Sequence, residues 1–429
     1  MNPDATRRSS AQTATLSTRR RAQPLVRGAC LAGAALLLWP AATGTSLSIL
    51  VPALSPFVAV AALLTTGAFH TATLVGLAVG VVAIVRGRLF CRWVCPAGLC
   101  LDGASRLGRC LGRRPYQGAS VGRWLVLLTL GGACLGYPFL LWLDPLALFA
   151  GVFDLSVRGI QSGAWLSATA FVAVFALSVV WPNAWCGSAC PLGAFQDVLY
   201  RTPRSVRTVL AHRGSVQRAR DVSRLSRRAI LGVTAGASLA GIAKLVRGQL
   251  HPPLRPPGAR DESGFLGVCI RCGNCVRACP SGIIRRDTGQ NGWASLLTPI
   301  LSFRDDYCRE DCVRCMHVCP SGALEPLLLE DKTRMQIGLP RMDMNVCLLA
   351  EDRECSACAR ACPYDAIRYV FSEAQYTLSP QIDAKRCTGC GACEAACPTT
   401  PKKAIIVLPA GPLEKGRPAV SARAAQASA

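Results

Sequence analysis

The chain has 429 residues, of which 51% are hydrophobic, and a formal net charge of +23. This length allows two or three domains, and a strongly basic chain suggests a nucleic acid or a membrane as its partner. Nucleic acid is disfavoured, because the arginines cluster beside apolar stretches and no helix-turn-helix pattern or aromatic-interleaved basic patch accompanies them.

The first half of the chain is predicted to be an α-helical membrane bundle. Residues 1–24 are predicted to be a disordered cytoplasmic N-terminus, and residues 25–200 a four-helix membrane domain built as a duplicated helical hairpin. A bilayer span takes about 20 apolar residues. The predicted spans are 26–43, 66–85, 124–143 and 164–181, with a fifth, anchoring helix at 229–247.

The arginines predict which side of the membrane each segment faces. Six lie in residues 1–27, eight in 86–123 and nine in 201–228. Arginine-rich loops remain on the cytoplasmic side, so an even number of crossings must separate them. The apolar segment 46–65 is therefore predicted to dip into the outer interface and return, and 144–149 to do the same. In the alternative topology 46–65 also crosses, which places eight arginines outside and the second half of the chain in the cytoplasm.

An internal repeat marks the membrane half. The pattern Cys-x3-Cys-Pro-x-Gly begins at Cys91 and again at Cys186, and an aspartate follows the second cysteine by seven residues in both copies. Three interpretations stay open: the four cysteines form one iron–sulfur site, contact a quinone, or are buried structural thiols. The residues concerned are Cys91, Cys95, Cys186 and Cys190.

The joint between the halves resembles an export signal. Residues 201–228 are predicted to be a basic cytoplasmic loop ending in Arg227 and Arg228, the layout of a twin-arginine signal. The apolar helix that follows is expected to be retained as an anchor, although Ala235-Gly236-Ala237 offers an alternative cleavage site. Residues 248–262, rich in proline, are predicted to be an extended linker.

The second half of the chain is dense in cysteine. Residues 263–408 are predicted to be an α+β bacterial-ferredoxin-like domain, and 409–429 a disordered tail. Its 16 cysteines form four groups, each ending in Cys-Pro. The groups are Cys269, Cys272, Cys275 and Cys279; Cys308, Cys312, Cys315 and Cys319; Cys347, Cys355, Cys358 and Cys362; and Cys387, Cys390, Cys393 and Cys397.

The spacing of these groups predicts four 4Fe-4S clusters. Groups one and four match the bacterial ferredoxin run, in which three close thiolates hold one cluster and the fourth ligates its neighbour. Zinc is less favoured, because its usual C-x2-C pairs need no third and fourth cysteine at this cadence. Disulfides are the other disfavoured alternative. If the membrane cysteines also bind a cluster, the chain holds a fifth.

Residues 263–407 resemble the periplasmic ferredoxin-type G protein of nitrate reductase systems and the M protein of methylamine utilisation. Residues 25–200 resemble their membrane partners, the H and N proteins, and the membrane region of the nitrous-oxide reductase regulator. The chain departs from them by fusing both partners and by lacking a cytoplasmic cluster-binding tail. By analogy with four-cluster subunits, the outer groups pair and the inner groups pair, so Cys279 would join group four and Cys319 group three.

The resemblance implies an inner-membrane, multi-pass protein with its ferredoxin domain in the periplasm. It would take electrons from the quinone pool and pass them to a periplasmic cytochrome or redox enzyme, either as a quinol dehydrogenase component or as a plain electron carrier. His70, Asp144 and Asp154 are the candidates for a quinol site near the outer face. The alternatives are a maturation or regulatory protein that supplies electrons to activate a periplasmic enzyme, and a passive cluster-bearing scaffold.

Overall fold

The computed structural model describes residues 22–39, 46–155, 163–211, 216–247, 252–351, 353–372 and 377–409. The predicted disordered ends therefore lie almost wholly outside the described residues. The chain divides into two compact units. The helical unit comprises Met1–Gln249, Ser263–Asn274 and Pro320–Ala323; the cysteine-rich unit comprises Leu250–Glu262, Cys275–Cys319 and Leu324–Ala429.

The helical unit contains the predicted apolar helices and several short ones. In chain order the helices are α1 (Ala22–Leu38), α2 (Leu50–Ala53), α3 (Pro56–Thr66), α4 (Thr71–Arg86), α5 (Leu89–Trp93), α6 (Pro96–Cys110), α7 (Val121–Cys134), α8 (Pro145–Val152), α9 (Ala164–Val180), α10 (Pro191–Ala211), α11 (Val216–Arg247) and α12 (Glu262–Val268). A 3₁₀ turn at Ser46–Ile49 precedes α2, another lies at Leu141–Leu143, and a π-helical turn spans Ala184–Ala189.

Most of the apolar helices are shorter than a bilayer span. Within the described segments, only Arg227–Leu245 is a single helix long and apolar enough to cross a membrane. The helices α1, α4, α7 and α9 have 17 residues or fewer. A four-helix membrane bundle therefore remains a prediction.

The segment 46–65 is broken, a geometry that fits either a dip and return or a broken span. Leu47–Ala53 and Pro56–Thr66 meet at a bend of 95°. Ser55 caps α3 by accepting from the backbone N–H of Val58, and its hydroxyl donates to Asp144 Oδ2 over 2.6 Å. Asp144 in turn caps α8, accepting from the N–H groups of Leu146 and Ala147. The N-termini of α3 and α8 are thus joined by a hydrogen bond between their capping side chains, which also accept from backbone amides that would otherwise be unpaired.

The basic segment 201–228, which was predicted to be a loop, is mostly helical. The chain is helical to Ala211 and again from Val216, so α11 begins eleven residues before Arg227. Arginine, alanine and leucine are good helix formers, but the prediction considered only the charge of the arginines and not these helix propensities. Two glycines then let α11 pack closely on α7: a Cβ at Gly131 would lie 2.1 Å from the Val233 carbonyl oxygen, and one at Gly236 would lie 2.2 Å from that of Leu128.

The cysteine-rich unit has the predicted α+β character. Its strands are β1 (Ile284–Arg286), β2 (Pro299–Leu301), β3 (Leu339–Met342), β4 (Ile367–Ser372), β5 (Thr377–Ile382) and β6 (Ile405–Leu408). They form three two-stranded antiparallel sheets, β1 with β2, β3 with β6 and β4 with β5. The short helices are α13 (Asn274–Ala278), α14 (Arg314–His317), α15 (Leu329–Lys332), α16 (Ala357–Arg360) and α17 (Ala392–Ala396).

The described part of the predicted linker is packed. Residues 250–262 belong to the cysteine-rich unit. The buried Arg255 forms a bidentate ion pair with Glu262 and also donates to Thr298 Oγ1 and Ser295 Oγ. Such a network fixes the start of this unit rather than leaving it on a free tether.

Candidate metal centres

Two cysteine sets surround cavities in the cysteine-rich unit. Unfilled space of about 340 Å³, partly open to solvent, is lined by Cys279, Cys308, Cys312 and Cys315. A second space of about 310 Å³ is lined by Cys362, Cys387, Cys390 and Cys393. Each set joins three cysteines of one group to the last cysteine of the group before it.

These sets correct the predicted pairing of the groups. Cys279 joins group two and not group four, and Cys362 joins group four and not group two. In return, the last cysteine of group four, Cys397, lies close to group three: Cys347 interacts electrostatically with Cys358, Cys355 and Cys397. Groups one and two therefore pair, as do three and four.

The environments of these thiols suit metal ligation. Burial raises the pKa of the Cys315 and Cys393 thiols, so iron must displace their protons when it binds. Burial acts in the same direction at Cys397. There, however, the Thr399 hydroxyl and the N–H groups of Thr399, Ala404 and Ile405 bring the pKa below its ordinary value. Cys397 is thus held in a setting that favours the thiolate.

Each Cys-x3-Cys-Pro motif of the helical unit places its second cysteine at a helix N-terminus. Cys95 precedes α6, and its sulfur accepts from the backbone N–H of Gly98 at 3.3 Å. Cys190 precedes α10, and its sulfur accepts from Gly193 N–H at 3.4 Å. Proline suits the first helical position, where an N–H would be unpaired, and the positive helix end stabilises a thiolate. The repeated Cys-Pro-x-Gly pattern is therefore a thiol cap.

The two copies of the repeat converge on one cavity. Its unfilled space is about 750 Å³ and includes solvent at its mouth. Among the residues that line it are all four motif cysteines: Cys91, Cys95, Cys186 and Cys190. Of the three interpretations left open by the sequence, this arrangement favours a shared site over separate structural thiols.

Arginines join the repeats at this cavity. Arg88 forms a bidentate pair with Asp197, at 2.8 Å for both bonds, and donates to the Cys186 carbonyl at 2.9 Å. Arg27 reaches Asp102 at 2.6 Å. The two aspartates that recur in the repeat are thus each held by an arginine from outside their own helix, which fixes α6 and α10 around the cysteines.

The cavity also contains buried donors that an anionic group would satisfy. Among the described residues, Trp185 Nε1 and Arg27 Nε have no hydrogen-bond partner, although both side chains are buried and line the cavity. Native proteins rarely leave buried donors unpaired. Four thiols, two helix N-termini and unpaired donors together fit an iron–sulfur cluster, whose sulfurs accept hydrogen bonds.

Within the described segments, no three His, Cys, Asp or Glu side chains come close enough to share one metal ion. A cluster needs its thiolates spread around a cavity, which is how these sets are arranged. All 24 cysteines lie in described segments, and none of them forms a disulfide.

The candidate quinol residues are not gathered at one surface. Asp144 is fully buried and caps α8, close enough to the motif cysteines to interact with them electrostatically; its place near the outer face stays a prediction. Asp154 is also buried, at 1% exposure. His70 precedes α4 and lies near Gly322, where an added Cβ would be 3.1 Å from its Nε2.

Sequence reasoning missed Arg27, Arg88 and Trp185. Two signals in the repeat pointed to them. The aspartates at matching offsets need cationic partners, and an aromatic residue, Phe90 or Trp185, directly precedes the first cysteine of each motif.

Comparison with known families agrees with both kinds of site. A family described as a 4Fe-4S binding domain matches residues 68–114 and 164–209, which contain the two Cys-x3-Cys-Pro motifs. A family described as a 4Fe-4S dicluster domain matches 268–323, which contains groups one and two, and 353–400, which contains group four and the cysteines of group three other than Cys347. The fold and the sites thus define an iron–sulfur electron-transfer protein of ferredoxin type.

Individual relatives narrow this class. The methylamine utilization ferredoxin-type protein MauM of Methylobacillus flagellatus is 37% identical over 195 residues, covering 43% of this chain and 80% of the relative. The ferredoxin-type protein NapG of Escherichia coli is 38% identical over 166 residues, covering 36% and 70%. The ferredoxin-type protein NapF of E. coli is 33% identical over 152 residues, covering 34% and 81%. The chain belongs to this family of ferredoxin-type proteins; no solved structure matches it.

Proposed function

We propose that this chain is a membrane-anchored electron-transfer protein that accepts electrons from quinol and passes them through iron–sulfur clusters to a periplasmic redox acceptor. When bound, the clusters supply one-electron chemistry. The 16 cysteines of the four groups would hold four of them, and the four motif cysteines of the helical unit a fifth.

One observation carries this proposal. Cys272 and Ile270, from the loop of the first cysteine group, lie in the same hydrophobic core as Cys95 and Cys190 of the motif cavity. Within the helical unit this loop is tied down further. The guanidinium of Arg271 lies 5.0 Å from the ring centroid of Trp142, and Asn274 donates to the Ser48 carbonyl at 3.3 Å. The loop of the first cysteine group and the Cys-x3-Cys-Pro motifs thus share one hydrophobic core, an arrangement that suits electron exchange between the centres they would hold.

Two features support a membrane location with the ferredoxin domain outside. The arginine clusters follow the pattern of cytoplasmic segments, and α11 carries a span of suitable length directly after Arg227 and Arg228. The close packing of α11 on α7 favours its retention as an anchor over its removal.

The proposal is tested by adding a reduced quinol to the full-length protein in lipid vesicles and following the clusters by EPR. Reduction of the clusters is expected, and a Cys186→Ser/Cys190→Ser variant should show slower reduction of those in the cysteine-rich unit. If quinol reduces no cluster in the wild-type protein, the quinol function is wrong.

A maturation role is the second candidate, because the MauM relatives are named for methylamine utilization. The two roles differ in turnover. A respiratory donor is needed stoichiometrically with each acceptor turnover, whereas a maturation donor can be removed once its target is active. Depleting the protein after the target enzyme is active distinguishes them.

A further inference from the structure

The motif cavity of the helical unit differs in its electrostatic character from the group-four cavity of the cysteine-rich unit. Arg27, Arg88 and Arg92 line the motif cavity, where Asp102 pairs with Arg27 and Asp197 with Arg88, and the buried Asp144 is close enough to act on Cys95. Among the residues that the structure describes, none with a charged side chain lines the cavity of Cys362, Cys387, Cys390 and Cys393. The N-termini of α6 and α10 add further positive potential beside the motif cysteines.

Hydrogen-bond donors strengthen this contrast. Trp185 is 8% exposed and Arg27 is 7% exposed, and both line the motif cavity. The indole Nε1 and the guanidinium Nε have no partner among the described residues, while another nitrogen of Arg27 is already paired with Asp102. A donor buried without a partner is unfavourable, so these two nitrogens mark where a ligand with acceptor atoms belongs.

Reduction of an iron–sulfur centre adds one electron and makes it one unit more negative, without breaking a bond. Nearby cations and N–H donors stabilise that added charge and raise the reduction potential. In the proposed reaction the electron comes from quinol, which releases its two electrons singly and its two protons to solvent. A centre with a raised potential accepts that electron more readily than one in an uncharged cavity.

We propose that Trp185 and Arg27 donate hydrogen bonds to an iron–sulfur centre held by Cys91, Cys95, Cys186 and Cys190, and that they set its reduction potential above that of the centre at Cys362, Cys387, Cys390 and Cys393. This inference rests on the proposed function for the existence of the fifth centre. Trp185 and Arg27 are positioning residues that act through the centre.

The structure supplies a conservative variant to test this. Phe90 occupies the position equivalent to Trp185 in the first copy of the repeat, so Trp185→Phe keeps an aromatic ring and removes only the N–H and part of the indole. Trp93→Phe is the matched control, since Trp93 lies between the cysteines of the first motif but does not line the cavity.

The measurement is an EPR-monitored redox titration of the full-length protein, with iron content as a check. Trp185→Phe should lower the reduced-to-oxidised ratio of the motif centre about tenfold at the wild-type midpoint, equivalent to ~59 mV for one electron. The group-four centre and the Trp93→Phe protein should be unchanged. An unchanged potential in Trp185→Phe with full iron content overturns the inference, as does a wild-type motif centre whose potential lies at or below that of the group-four centre.

A wild-type measurement covers the case in which Trp185→Phe fails to assemble the centre. With ¹⁵N-labelled tryptophan, electron–nuclear double resonance on the reduced motif centre should detect hyperfine coupling of its electron spin to an indole ¹⁵N and to the exchangeable proton on that nitrogen. Absence of that coupling overturns the inference even if the centre exists. An iron content that shows no fifth centre instead removes the proposed function of the motif cysteines and this inference with it.

Discussion

At the scale of single residues, the cysteine spacing predicts the ligands as a set, whereas the partners were assigned by analogy with four-cluster subunits, and the cavities contradict that assignment. A spacing shows that Cys279 leaves its own loop, but it does not show which loop it reaches. The structure places Cys279 beside Cys308, Cys312 and Cys315. The partner is decided by chain geometry some 30 residues away, which the local pattern does not contain.

The corrected pairing predicts which cluster a single substitution damages. Cys279→Ser should impair the cluster of group two, because it removes the fourth thiolate from that cavity, and leave the group-four cluster intact. EPR of the reduced protein, with the signals assigned by redox titration, checks this. Cys362→Ser is the matched variant: it should impair the group-four cluster and leave the group-two cluster intact. Loss of the group-four signal in Cys279→Ser would instead support the pairing of group one with group four.

Thr399 provides a second prediction at this scale. Its hydroxyl lies 3.2 Å from Cys397 Sγ and helps to hold the pKa of that thiol below its ordinary value. Thr399→Val should lower the potential of the cluster that Cys397 ligates, since a hydrogen bond of ~1 kcal/mol corresponds to about 40 mV for one electron. Thr399→Ser keeps the hydroxyl and should behave as wild type in the same titration; equal potentials in Thr399→Val and wild type would contradict this role.

At the scale of secondary structure, the sequence predicted most helices of the first half but not their ends. The 95° break at Ser55 and the cap at Asp144 follow from serine or aspartate directly before proline, a start signal that the sequence displays. The helical course of 201–211 was missed because arginine was taken only as a topology signal. The contacts of Arg27 with Asp102 could not be predicted, since 75 residues separate them.

The packing of α11 on α7 predicts a position-specific effect of alanine. Gly236→Ala brings a methyl group to 2.2 Å from the Leu128 carbonyl oxygen, so the helices must separate, at about 1–3 kcal/mol for overpacking. Gly241→Ala, one and a half turns along the same helix, meets only Leu135 Cδ1 at 4.0 Å. It should be neutral or stabilise the protein by up to ~1 kcal/mol through helix propensity.

Thermal unfolding in detergent, followed by circular dichroism, compares the two variants. A lower Tm for Gly236→Ala alone is expected, by roughly 2–4 °C per kcal/mol. Equal melting of both variants would show that α11 does not depend on this contact.

At the scale of the whole molecule, the number of clusters is the quantity that the sequence and the sites predict together. With four irons in each cluster, the full-length protein should contain about 20 iron atoms. Cys186→Ser/Cys190→Ser should contain about 16, because only the motif cavity loses its ligands. Chemical analysis of iron and sulfide on protein purified without air checks both values; equal iron in the two proteins would make the motif cysteines structural thiols.

The loop that carries Ile270 and Cys272 has a consequence for how the protein is made. It lies in the core of the helical unit although more than twenty residues separate it from the end of α11. If the domain beyond α11 is exported with its clusters already inserted, this loop joins that core only after translocation. Packing of this loop into the core would then be the last step of biogenesis, and it would take place only in chains that are already inserted in the membrane and loaded with clusters.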